Sequence, residues 1–267
     1  MHRKTPSLLW SLHSDQTPGC SYLLGTMHVR DSRAFRQWTP VTDCIAECEV
    51  FAAEINLDEL SAASFSTANT HTGATTSFRQ LLTDRQLQKL RRGLLRSTGV
   101  DIAYMFHMPP LFIAQVIDEQ VLASDYPASL DQSLWNFAKA QQKTLIGLEA
   151  WQQQVEWLQQ IPIDRQLQYL LDLCRHISRR RKQVIRLATL YEKGEVQKLY
   201  HSARKGAGAL RKPLLLNRNQ HMARKIADLA LQQPTFAAIG AAHLGGGKGV
   251  LRMLKHQGFR LQPLPWQ

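Results

Sequence analysis

The sequence predicts an α/β protein: a mainly parallel central sheet built from both chain ends, with a large helical insertion in the middle. Three observations predict it. Four apolar runs, SYLLGTMHV (21–29), VFAAEINL (50–57), KTLIGLEAW (143–151) and TFAAIGAAHL (235–244), are each bounded by polar or turn residues. Continuous rather than alternating apolar runs suit strands buried on both faces of a parallel sheet. The stretches between them carry helical periodicity, and the centre of the chain carries long helical patterns with no strand-like run.

Taken in order, MHRKTPSLLWSLHSDQTPG at the N-terminus has basic residues but no continuous apolar region and no small-residue cleavage site. It therefore does not read as a secretory signal. A cytoplasmic location is expected for the chain as written, and an extracytoplasmic one if an N-terminal signal has been removed. Residues 34–49 form the expected helical crossover from the first strand to the second, with Pro40 near its start. SFSTANTHTGATTS (64–77) is the most polar stretch and reads as a surface loop. Helical patterns then run from about 77 to 123, with Thr83 or Asp84 as a cap, and over 130–142. Beyond the third strand, 151–232 is helical, with Trp151, Val155 and Leu158 on one stripe and Met222, Ile226, Leu229 and Ala230 on another. Residues 248–257, closed by Gly258, return to a last strand, FRLQPL (259–264), whose proline marks it as an edge. Nothing resembles a linker, so 1–267 reads as one domain with a helical cap or insertion at about 77–123 and 151–232.

Composition excludes several classes. At 267 residues and 44% hydrophobic, the chain can bury a sizeable core, and 15 Gly with 11 Pro rule out fibrous and disordered types. No apolar run reaches the about 20 residues that a membrane span needs. Cys20, Cys44, Cys48 and Cys174 contain no C-x-x-C and read as free thiols. The net charge of +12 admits an acidic protein partner. Its densest run is HISRRRKQVIR, with Arg179, Arg180, Arg181 and Lys182 on an expected solvated face. No stacking aromatics interleave these charges and no nucleic-acid motif occurs, so nucleic acid is disfavoured.

The chemistry lies where the buried runs end. The first ends at His28, the second at Glu54, the third at Glu149 and the fourth at His243. In open α/β sheets ligands bind outside the carboxyl ends of the strands, so these four side chains can converge on one crevice. Both histidines close the same pattern, G-x-x-H, in which the glycine leaves room for close backbone approach. Two imidazoles and one or two carboxylates are an adequate set for Mn²⁺, Co²⁺ or Zn²⁺, and equally adequate for metal-free acid–base work. Each residue also has a plain structural use, as a hydrogen-bond donor or a helix-cap partner. There is no H-E-x-x-H, and the P-loop pattern fails at Ala242 and Gly249. The Gly245–Gly249 stretch reads as a βα turn.

YLLGTMHV followed by VFAAEINL resembles the first signature of the TraB/GumN family, which includes the Tiki proteases. LDQSLWNFAKAQQKTLIGLEAWQQQ, LLNRNQHMARKIADL and IGAAHLGGGKGVLRMLKHQGFRLQPL resemble three further blocks of that family, in order. The resemblance implies an erythromycin-esterase/Tiki-like core and, for Tiki members, metal-dependent peptide hydrolysis. Carried over, His28, His243 and Glu54 are the implied divalent-metal ligands and, with Arg218, the catalytic set. Arg218 would stabilise developing negative charge or bind a substrate carboxylate, and Glu149 and Asn219 would bind substrate. Ala241-Ala242 and Gly245-Gly246-Gly247 are smaller than the usual fillers. The leading expectation is a metal-dependent, peptidase-like hydrolase acting on a peptide or small molecule. The alternatives are a non-catalytic ligand- or metal-binding protein using the same crevice, and a basic-surface interaction module with structural histidines.

Overall fold

The computed structural model describes residues 6–59, 78–106, 108–122, 124–207 and 212–266; the polar stretch 64–77 lies outside them. The chain opens with a hairpin, β1 (Leu9–His13) antiparallel to β2 (Ser21–Thr26), with Trp10 opposite Leu23. A 3-10 turn at Ser32–Phe35, capped by Asp31, precedes α1 (Trp38–Ala46), which returns to β3 (Val50–Ile55). Next come α2 (Asp84–Thr98), α3 (Pro110–Gln120) and α4 (Leu130–Ala140), leading into β4 (Thr144–Glu149). Five helices follow: α5 (Trp151–Gln159), α6 (Ile163–Arg175), α7 (Ile177–Glu192), α8 (Val196–Ala207) and, after a π-helical turn, α9 (Arg218–Gln232). The chain closes with β5 (Thr235–Gly240), α10 (Ala241–Leu244), α11 (Val250–His256) and β6 (Arg260–Pro263).

The six strands form one sheet in the order β4-β3-β5-β2-β1-β6. The first four run parallel, while β1 pairs antiparallel with both β2 and β6. The mixed α/β architecture matches the class read from the sequence, and β6 is the edge strand its proline foretold. One strand was not foreseen. LWSLH, read only against a signal peptide, is β1, which carries the sheet past the parallel block.

The inner parallel strands β2, β3 and β5 form because their residues are buried on both faces, whereas β4, at the sheet edge, is only partly buried. Tyr22, Phe236 and Phe51 stand in register across β2, β5 and β3, so they share one face of the sheet. Phe51 and Phe236 stack with centroids 5.7 Å apart, and Trp135 of α4 meets Phe51 edge-on at 6.2 Å. Ala52 and Ala237, at the next register step, face the other way and are fully buried. All four cysteines are free thiols, and Cys48 is buried in the core. Among the described residues no helix is long and apolar enough to cross a membrane.

The strands end sooner than the apolar runs suggest. β2 stops at Thr26, two residues before His28, and β5 stops at Gly240, beyond which Ala241–Leu244 winds into the short α10. His243 therefore stands on a helical turn rather than on a strand.

Candidate active site

Four parallel strands point their carboxyl ends the same way, and a cavity of about 630 Å³ opens there. His28, Glu54, Arg218 and His243 all line it. The two G-x-x-H segments lie side by side, because β2 and β5 are paired neighbours with Thr26 opposite Gly240. Their glycines are demanded by contact. A Cβ on Gly25 would sit 2.5 Å from Leu244 Cδ1 and 3.0 Å from Ala241 Cα. On Gly240 it would lie 3.1 Å from Glu54 Oε1. Each motif thus makes room for groups that serve the same cavity.

Arg218, at the start of α9, is the electrostatic centre. Its Nη2 donates to Glu54 Oε2 at 2.6 Å and to Glu149 Oε2 at 2.7 Å, and its Nε donates to the Glu149 carboxylate at 3.1 and 3.0 Å. Glu54 Oε1 also accepts the Gly240 N–H at 2.6 Å. Burial alone would raise the Glu54 pKa, but the charges of Arg218, His243 and His28 with that N–H bond hold it well below the usual carboxylate range.

The two histidines are driven in opposite directions. His243 is 5% exposed, and its Nδ1 lies 2.6 Å from Asn219 Oδ1. Asn219 turns its oxygen that way because its Nδ2 donates to the Lys248 carbonyl at 2.7 Å, inside the glycine-rich turn. The network thus assigns the proton to Nδ1 and leaves the Nε2 lone pair free, 3.8 Å from Glu54 Oε1. Burial pushes the His243 pKa down to about 4; Glu54 opposes this, while Arg218 and His28 reinforce it. His28 is the more open ring, and its Nδ1 lies 3.0 Å from Asp131 Oδ2. Burial works against its charge too, but the carboxylates of Asp131, Glu54 and Glu119 prevail and lift it to about 10. At neutral pH the cavity therefore holds a neutral imidazole and an imidazolium.

The structure redistributes the other expected residues. Glu149 and Asn219, expected to touch substrate, are buried and stand behind the cavity wall, where they hold Arg218 and His243. Arg218 is bound to two carboxylates through Nε and Nη2 and lines the cavity. Three contributors were missed. Asp131 of α4 receives the Thr26 hydroxyl at 2.6 Å and orients His28. Glu119 of α3 lines the cavity, and burial, opposed by His28, pushes its pKa up to about 7. Arg180, counted among the solvated charges, lines the cavity as well and pairs bidentately with Asp118, its Nε at 2.6 Å.

The donor types match a divalent cation, but the arrangement does not. Among the described residues no group of three or more His, Cys, Asp or Glu side chains is placed to hold a metal. Glu54 and Glu149 instead face a guanidinium, which supplies the positive charge between them.

The fold is that of an α/β protein with one mostly parallel sheet and two histidines beyond the carboxyl ends of neighbouring strands. The chain belongs to the TraB/PrgY/gumN family, whose model matches residues 8–263. No curated protein and no solved structure matches the chain.

Proposed function

We propose that the protein is a hydrolase that opens a carbonyl-linked bond, an amide or an ester, through metal-free acid–base chemistry between His243 and His28. One observation carries the reading: two imidazoles on one cavity wall whose surroundings drive their pKa values apart, to about 4 and about 10. Titratable groups separated in this way mark a base and an acid.

In this scheme His243 Nε2 takes a proton from a water molecule, and the water oxygen attacks the carbonyl carbon. Glu54, 3.8 Å away, stabilises the imidazolium that forms. The carbonyl carbon then releases its nitrogen or alkoxide oxygen, which leaves with the proton of His28. The products are an acid and an amine or alcohol, and the proton gained by His243 restores His28 through solvent. Asn219 keeps His243 in the required tautomer, and Arg218 keeps Glu54 ionised.

The expected test outcome is a fall in kcat of about 10²–10⁴ for His243→Gln and for His28→Gln. Asn219→Ala, which frees the His243 tautomer, should cost about 10–100-fold. Treatment with a chelator should leave the wild-type rate unchanged. If a chelator abolishes turnover and Mn²⁺, Co²⁺ or Zn²⁺ restores it, the metal-dependent mechanism replaces this one. Saturable ligand binding without turnover would instead mark a binding protein.

A further inference from the structure

We propose that the protein has a second ligand site, a cavity on the opposite side of α8 from the histidines, and that it binds a compact polyanion such as a diphosphate or a tricarboxylate. The inference goes beyond the hydrolase reading and does not depend on it.

Helix α8 separates the two cavities. Leu199, Ser202 and Ala203 line the first, whereas Gln197, Tyr200 and Arg204 line the second. Side chains three and four residues apart share a helix face, so each set occupies its own side. The turn after β5 continues the partition: His243 lines the first cavity, and Leu244 and Gly246 line the second. At about 610 Å³ the second cavity suits a small molecule rather than a folded partner.

The glycine-rich turn shapes its wall. Gly246 has a φ of 83°, and a Cβ there would overlap the Tyr200 ring, so packing demands that glycine. Gly247 is different. It lines the cavity and is exposed, and an added Cβ would meet nothing within 4 Å.

Charge identifies the ligand. Arg204 of α8 and Arg252 and Lys255 of α11 all line the cavity, and none has a carboxylate or hydrogen-bond partner among the described residues. The lining carboxylate, Glu195, is paired with Lys198 at 2.7 Å. Three like charges from two helices around one concavity focus a positive potential into it, which an anion relieves. A guanidinium grips an oxyanion through parallel N–H donors, and the ammonium adds a point charge. One carboxylate or phosphate monoester would leave part of this charge unmatched, so the fitting ligand carries several negative charges.

The test is calorimetric titration of the full chain with pyrophosphate and with citrate, at about 0.15 M ionic strength, where charges more than about 8 Å apart are largely screened. The expected result is saturable binding of one equivalent of at least one probe. Pyrophosphate as the tighter probe marks phosphate chemistry, and citrate as the tighter marks carboxylate chemistry. Replacing both Arg252→Gln and Lys255→Gln should weaken binding at least about tenfold, because it removes two charge-assisted contacts. Gly247→Asp places a carboxylate where nothing obstructs it, and should abolish binding while the melting temperature without probe stays within about 2 °C. The pair Arg179→Gln and Lys182→Gln removes two charges from α7 instead, and should leave affinity within about twofold. Equal weakening in the two double variants would mean attraction by the net charge of +12 alone, and overturns the proposal. So does full affinity in Gly247→Asp, or the absence of saturable binding. Binding to phosphatidylglycerol vesicles or to an oligonucleotide, with neither probe bound, would put a macromolecular partner in place of the small ligand and overturn it as well.

Discussion

His28 and His243 close the same four-residue pattern, yet the fold drives their pKa values in opposite directions. The difference comes from their neighbours. His243 faces an amide oxygen and is nearly sealed, whereas His28 sits against a carboxylate. Activity in the proposed mechanism needs His243 neutral and His28 protonated. A pH–rate profile should therefore lose activity as pH falls through about 4, where His243 gains a proton, and as pH rises through about 10, where His28 loses one. Between those limbs Glu119 ionises near 7 beside His28, so a shallow inflection is expected there. Glu119→Gln should remove that inflection and leave both limbs in place. A profile with a single limb near neutrality would contradict the assignment of the two imidazoles. Both histidines, Glu54 and Arg218 were legible in the sequence because apolar runs, a repeated motif and a family resemblance all marked them. Asp131 was not, since an acidic residue in the first turn of a helix is ordinary capping chemistry until the fold places it against His28. Glu119 lies on a helix of unremarkable pattern, and only burial gives it meaning.

At the scale of elements, β2, β3 and β5 were legible because burial on both faces leaves an apolar run. β1 was not, because its five residues mix apolar and polar types and are defined by pairing with β2 and β6 rather than by their own pattern. The ends of the apolar runs also misled, since Ala241–Leu244 is apolar both as strand and as helix. Two glycines separate what packing demands from what it tolerates. Gly25 lies against α10, where a methyl group would meet Leu244 and Ala241 at 2.5 and 3.0 Å. Gly93 lies in the exposed face of α2 with nothing within 4 Å of an added Cβ. Gly25→Ala should lower stability by about 1–3 kcal/mol through overpacking. Gly93→Ala should raise it by about 0.5–1 kcal/mol, because alanine loses less backbone entropy in a helix. Thermal or urea unfolding of the two variants checks both signs at once.

Across the whole molecule, a surplus of +12 guarantees many cations without a carboxylate partner, so a basic run in the sequence looks like one solvated face. The run on α7 is in fact divided. Arg179 and Lys182 are exposed. Arg180 turns inward to Asp118 at the cavity, and Arg181 donates to the carbonyls of Val121 and Ser97 at 3.0 and 3.2 Å. Two of the four charges therefore tie α7 to the ends of α2 and α3, while Arg179 and Lys182 face solvent. The one-letter sequence cannot make this division, because it depends on which side of the helix meets α3. Neutralising Arg179 and Lys182 together should shift unfolding stability by no more than about 0.5 kcal/mol, as surface changes usually do. Arg180→Gln leaves Asp118 without its bidentate partner in a partly buried position and should cost about 2 kcal/mol. Because Arg180 also lines the cavity, that single change should disturb ligand binding, whereas the double surface variant should not. Salt response gives the matching control: any association with an acidic partner should weaken in the double variant and lose part of its dependence on ionic strength. If the double variant instead destabilises the fold as much as Arg180→Gln does, the division of the helix into an inward and an outward pair is wrong.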